Sequence, residues 1–384
     1  MRKIYIILFV LIFSFLSYSC AASGSAPNGG SNNGENENPD NYYEISNNLN
    51  ELTAITIDDN NNYNYWSSLV NPSMSYKFSY YYDKFSFKTL NRITLEFKKG
   101  VYAEVSLIDK EQNAYFTATP NADGLCYLFP KYKADYYDIE IKYYNKDYEL
   151  VTIYESISLI GLKDNKIDAT YLDAVEIKKD TIDLMFVVDS TVSMNNEIEF
   201  LQEKIEKIVN RVSYNGTIVR TAILLYKDLD DNYLTMYSKF TTNIKEQVNF
   251  LSNVFAYGGG DFEEAVDVAM NEAVIQEWSG NNSTKIIVHI ADAPCHDKDV
   301  SSWNDAVLAC AKKGIRLITV ASTNVNEKTE YLFRSATILT GGTYVYITNE
   351  SQMGSVVVNP NLHPEEDLLE ICLENLIIDY HYGK

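Results

Sequence analysis

Residues 183–200 read DLMFVVDSTVSMNNEIEF and join two patterns that belong to different elements. The apolar run from Leu184 to Val188 ends in Asp189, and hydroxyls follow at Thr191 and Ser193. A helix-like pattern starts directly afterwards at NNEIEF. An unbroken apolar strand has both faces buried and belongs to a parallel sheet covered by helices. In such sheets the binding crevice lies beyond the carboxyl ends of the strands, which is where Asp189, Thr191 and Ser193 fall.

Outward from this stretch the alternation continues to the C-terminus. Strand-like TIVRTAILLYKD, TKIIVHIAD, RLITVAST and GTYVYIT are interleaved with helical NIKEQVNFLSNVF, DFEEAVDVAMNEAVIQEW, SSWNDAVLACAKKG and PEEDLLEICLENLI. Residues 179–384 are therefore expected to form an α/β domain of doubly wound, Rossmann-like type, with helices on both faces of a mostly parallel sheet. Residues 51–178 follow another rhythm. Runs such as YKFSYYYDKFSF, RITLEFKKGVYAEVSLID and YYDIEIKYYNKDYELVTIYESISL are β-branched and aromatic, with NADG, YNKD and LKDNK as turns between strands. No helix-period segment stands out there, so this half is expected to be an all-β, Ig-like antiparallel sandwich.

Two further loops accompany the first. YGGGDFEEA (257–265) holds Asp261, flanked by Gly259, Gly260 and Glu264. HIADAPCHD (289–297) holds Asp292 at a strand end, with His296 shortly after. Carboxylate and hydroxyl oxygens are hard ligands, suited to Mg²⁺, with Ca²⁺ or Mn²⁺ as alternatives. The glycines do not form a phosphate loop, because no Lys-Ser/Thr follows them. Cys295 and His296 are neighbours in the chain, which argues against a nucleophile–base pair, and no third orienting group is evident. The acidic turn YKDLDD (226–231) reads as a solvated turn, with a second cation site as the other possibility.

DSTVSM, GGGDFEEA and ADAPCH resemble the von Willebrand factor type A family over about residues 179–350. The resemblance implies a metal-ion-dependent adhesion site, with Asp189, Thr191 and Ser193 as first-loop ligands and Asp292 as the third-loop aspartate. Many adhesion-type members place a threonine in the second loop where this chain has Asp261. That residue is left to bind the ion directly, bind it through water, or cap a helix beginning at Phe262. YKDLDD with the other two motifs is similar to a subgroup that includes A domains found beside some atypical kinases. VYAEVSLIDKEQNAYFTATPNADGLCYLFP (101–130) resembles carboxypeptidase-regulatory or transthyretin-like sandwich modules.

Acidic residues outnumber basic ones by 53 to 32, for a net charge of −21. No basic patch is available to release phosphate counterions, which argues against nucleic acid and anionic headgroups as partners. The N-terminus carries Arg2 and Lys3, a short apolar run and small residues before Cys20, and resembles a bacterial lipoprotein signal. Residues 1–19 then read as a signal peptide, Cys20 as the lipidation site and 20–50 as a Gly/Asn/Ser tether of a protein exported to the cell envelope. Cys126, Cys295, Cys310 and Cys372 have no spacing that specifies disulfides. Together these features imply a lipid-anchored protein that binds an acidic residue of a protein ligand through a divalent cation. The alternative is a scaffold whose β-sandwich is the main interaction surface. No kinase, ATPase or protease motif accompanies the A-type motifs, so no enzymatic activity is expected.

Overall fold

The computed structural model describes residues 51–384, apart from 75–76, 86, 215, 323–324, 349–355 and 384. The signal peptide (1–19), Cys20 and the tether (20–50) lie outside the described residues. Strand β1 (Thr53–Ile57) is followed by helices α1 (Tyr63–Val70) and α2 (Ser79–Phe85). Seven strands come next: β2 (Ile93–Glu96), β3 (Ala103–Ile108), β4 (Ala114–Ala118), β5 (Leu125–Leu128), β6 (Tyr136–Tyr144), β7 (Leu150–Ser158) and β8 (Lys166–Asp168). Alternation begins with β9 (Thr181–Asp189), α3 (Asn195–Val212), β10 (Ile218–Tyr226), β11 (Thr235–Thr241), α4 (Ile244–Leu251) and α5 (Val266–Val274). It continues through β12 (Ser283–Ala291), α6 (Val300–Lys313), β13 (Ile315–Ala321), α7 (Glu327–Thr340) and β14 (Thr343–Thr348). The chain closes with β15 (Asp367–Leu368) and α8 (Leu369–Tyr382).

The large sheet has the order β11-β10-β9-β12-β13-β14-β1-β15, with β10, β9, β12, β13 and β14 parallel. β9 is buried along almost its whole length because its two sets of side chains enter different cores. Met185 and Val187 face one core, and Ile182, Leu184, Phe186 and Val188 face the other. On the second side, α3 supplies Ile198, Leu201, Ile205, Ile208 and Val212, a spacing that keeps one helix face apolar. Chain direction across the sheet reverses between β9 and β12. β9 leads through α3 to β10 on one side, and β12 leads through α6 to β13 on the other. The carboxyl ends of those two strands carry Asp189 and Asp292, so both aspartates stand at the topological switch point.

Residues 51–178 depart from the all-β expectation at their start. α1 and α2 are helical, and β1 does not pair with the following strands but lies antiparallel to β14 in the large sheet. Aromatic residues of YNYWSSLV and SYYYDKF fill a core position rather than a strand face: Trp66 and Tyr81, with Phe78 just ahead of α2, pack around Tyr331 of α7. The remaining strands form a four-stranded antiparallel sheet, β4-β3-β6-β7, and a three-stranded sheet, β5-β2-β8. Their inner side chains share one continuous core with the α5–α6–α7 face of the large sheet, and the described residues form a single compact unit.

One buried ionic network fastens β1 to α7. Arg334 is fully buried and grips Asp59 with two bonds, Nε to Oδ2 at 2.7 Å and Nη2 to Oδ1 at 2.6 Å. Its Nη1 donates to Glu330 Oε1 at 2.8 Å and to the Val357 carbonyl at 2.7 Å. Cys126, Cys295, Cys310 and Cys372 are buried free thiols. Among the described residues no helix is long and apolar enough to cross a membrane.

Candidate metal centre

The site is built where β9 and β12 end. Asp189 is fully buried, and its Oδ1 accepts from the Thr191 backbone N–H at 2.9 Å and from the Thr191 hydroxyl at 2.7 Å. Thr191 Oγ1 and Ser193 Oγ lie 3.4 Å apart, and the Ser193 hydroxyl donates to Asp292. Four of the expected donors are thus joined in one chain of contacts: Asp189, Thr191, Ser193 and Asp292. The helix expected from Phe262 begins only at Val266, so Asp261 does not cap it. Asp261 is exposed and lies in a group with Asp228 and His296.

Glu264, which sequence reasoning left at the loop periphery, is more central. It is buried, and a Cβ at Gly259 would stand 3.2 Å from both Glu264 Oε1 and Thr191 Cβ, which places this carboxylate against the first loop. Two carboxylate oxygens, Asp189 Oδ2 and Glu264 Oε2, are buried with no hydrogen-bond partner among the described residues. A buried carboxylate oxygen without a donor costs a large part of its lost hydration, and most such atoms in folded proteins are satisfied. Burial pushes the Asp189 carboxyl up to about 7 against its bonds from Thr191, with the charge of Asp292 adding to the rise. Glu264 is pushed up to about 9, first by burial and then by the charges of Asp189, Asp228, Asp231 and Asp292. Unsatisfied hard oxygens, clustered and mutually repelling, fit a divalent cation.

Residues 183–359 match the family model described as the von Willebrand factor A domain. A von Willebrand factor A domain is present in this chain. An alpha-protein kinase of Dictyostelium discoideum is 29% identical over 200 residues, covering 49% of this chain and 31% of that protein. An ariadne-like RING finger protein of Acanthamoeba polyphaga mimivirus is 33% identical over 125 residues, covering 33% of this chain and 12% of that one. The chain therefore spans less than a third of the length of either relative. The crystal structure of the conserved hypothetical protein BatB from Bacteroides thetaiotaomicron has a TM-score of 0.35 at 16% identity, covering 44% of this chain and 91% of that one. The expectation of no enzymatic activity is overturned by the first of these relatives, which is named a kinase.

The A domain's loops are laced together beneath the donors. Lys227 is fully buried, its Nζ donating to the Ser190 carbonyl at 2.5 Å and to the Tyr257 carbonyl, 4.1 Å from the Tyr257 ring centroid. Burial lowers the proton affinity of this amine, while Asp231, Asp189 and Glu264 act against that. Asp231, read from the sequence as part of a solvated turn, instead accepts from the Gly259 N–H at 3.0 Å. His289 lies in the core with Nε2 3.0 Å from the Tyr226 hydroxyl, and burial lowers its pKa to about 3. Cys295 is buried and its thiol is pushed up to about 12, which suits packing and not nucleophilic attack.

Gly258 has φ +84°, and a Cβ there would come within 2.2 Å of Asp231 Oδ1. Gly260 has open space around the same position. Gly258→Ala is therefore expected to cost about 1–3 kcal/mol through strain and displacement of Asp231, whereas Gly260→Ala stays near neutral. Thermal unfolding of the two variants side by side checks this. Equal stability would show that Asp231 does not brace the loop.

Proposed function

We propose that the A domain holds a divalent cation, Mg²⁺ first with Ca²⁺ or Mn²⁺ as alternatives, and presents it to an acidic side chain of a protein partner. Asp189, Thr191, Ser193, Asp292 and Glu264 would hold the ion. The observation that carries this reading is the pair of buried, partnerless oxygens, Asp189 Oδ2 and Glu264 Oε2. Thr191 and Ser193 add oxygens without adding charge, which preserves the ion's attraction for a partner's carboxylate. Exposed apolar side chains rim the same loops: Val192, Leu229, Phe255, Tyr257 and Phe262. A partner with an acidic residue flanked by apolar ones suits that surface.

A second reading places the interaction on the antiparallel sheet, where Tyr136, Leu150 and Tyr154 of β6 and β7 are exposed. Deleting residues 51–178 cannot separate the two readings, because it removes β1 from the large sheet and half of a shared core. Point substitutions can. Asp189→Ala or chelation by EDTA is expected to abolish partner capture, with Tyr154→Ala unchanged. The reverse pattern would sink the cation reading and favour the sheet. The N-terminal sequence supports export and anchoring in the cell envelope through lipid on Cys20. Transfer of Cys20→Ser from the membrane fraction to the soluble fraction is the expected result.

A further inference from the structure

A second group of donors lies beside the first. Asp228, Asp261 and His296 each bring one ligand atom within 4.8 Å of the others. They come from three separate loops, those after β10, before α5 and after β12. His296 Nε2 is 3.2 Å from Asp228 Oδ1. Two donors bound to one tetrahedral ion by bonds of about 2.0–2.2 Å lie about 3.3–3.6 Å apart, so this pair needs to open only slightly to act as co-ligands. The third donor, Asp261, is exposed, and its carboxylate lies within 4.8 Å of both.

A simple His–Asp ion pair accounts for two of these residues but not for the third. Asp261 brings another carboxylate toward Asp228, and like charges at such a distance repel. Asp231 stands beside them, its Oδ2 accepting from the Asp228 N–H at 3.4 Å and from the Gly259 N–H at 3.0 Å. Independently, Glu264 is buried with a partnerless Oε2 and feels the charges of Asp228 and Asp231 as well as those of Asp189 and Asp292. The charges of both groups thus act on this one buried carboxylate.

We propose that Asp228, Asp261 and His296 form a second cation site, separate from the Asp189–Thr191–Ser193–Asp292 centre. One imidazole and two carboxylates make a mixed N/O donor set. Such a set selects Zn²⁺, or Mn²⁺ and Fe²⁺, over the Mg²⁺ that an all-oxygen set favours. The site does not depend on the first centre being loaded.

The test is titration calorimetry of the chelator-stripped full chain with Zn²⁺ at neutral pH, on wild type, His296→Ala, Asp228→Asn and Asp189→Asn. His296→Ala and Asp228→Asn are each expected to lose one Zn²⁺ per chain, or to weaken it by at least about 10-fold. Asp189→Asn is expected to keep that ion. Mg²⁺-induced thermal stabilisation of His296→Ala confirms that the variant is folded and that its first centre is intact. Unchanged Zn²⁺ stoichiometry and affinity in His296→Ala would overturn the proposal. So would loss of all Zn²⁺ in Asp189→Asn, since the first centre alone would then hold the metal. A wild type whose single Zn²⁺ disappears in His296→Ala supports the second site and counts against the first.

Discussion

Arg334→Met is expected to lower the free energy of unfolding by about 3–5 kcal/mol, the range for removing one partner of a buried ion pair. Methionine keeps much of the aliphatic stem between Trp66 and Phe78, so the loss is chiefly electrostatic. What remains is harmful: Asp59 and Glu330 stay buried, two carboxylates without the guanidinium that neutralised them. The backbone carbonyl of Val357 also loses its donor. In a chain of this size each kcal/mol moves the midpoint by about 2–4 °C, so a drop on the order of 10 °C is expected in calorimetry. Adding Asp59→Asn should restore part of it, because the neutral amide no longer demands a counter-charge. A single-variant loss below about 1 kcal/mol would mean that water reaches the network and that β1 is held by its ladder alone.

The second large effect links protons to the cation centre. Asp189 and Glu264 both have carboxyl pKa values raised above the ordinary range, to about 7 and about 9. A raised carboxyl pKa means the folded state binds more protons than the unfolded one. The metal-free protein should therefore lose stability as pH rises from about 4.5 to about 9, and level off above that. Carboxyls held low, such as Asp297 beside Lys328 and Lys84, act in the opposite sense and only in the acid region. Mg²⁺ is expected to reverse the slope, since it binds the ionised carboxylates and expels their protons. Glu264→Gln separates the contributions. Without metal it should melt on the order of 5 °C higher than wild type at pH 9, yet gain less from Mg²⁺. A wild type whose metal-free midpoint climbs between pH 5 and pH 9 would contradict the buried-carboxylate account.

Much of the α/β half could be read from the residues. The run LMFVV is apolar on both faces because two cores sandwich it, and the hydroxyls of Thr191 and Ser193 could be placed beside Asp189 from their spacing alone. β1 could not be assigned to its sheet. TAITI has the same alternation whether it pairs with a neighbour or with a distant strand, and nothing local encodes Thr348 as the partner of Thr53. α1 and α2 were hidden for a different reason. Their tyrosines and tryptophan favour strands intrinsically, and packing against Tyr331 overrides that preference.

Within the candidate metal centre, the strand-end aspartates are legible because strand ends are. The residues alone favour Asp261 over Glu264 as the second-loop ligand, since both follow the same three glycines and only a bend in the loop decides which carboxylate turns inward. The structure buries Glu264 and leaves Asp261 outside, next to a histidine contributed by another loop. Only the meeting of the loops after β10 and β12 brings Asp228 and His296 together. The same meeting explains Lys227, an amine inside a strand-end turn whose purpose is visible only once two loop carbonyls converge on it.

The pairing of β1 with β14 has a bearing on biosynthesis. Thr53 and Thr348 bond across 295 positions, so a ribosome must polymerise all of those residues before β1 meets its template. Until then that strand is an unclaimed ribbon, and β13, still lacking β14, offers an open flank to any extended peptide nearby. Nascent chains halted before residue 343 are therefore expected to be the sticky ones.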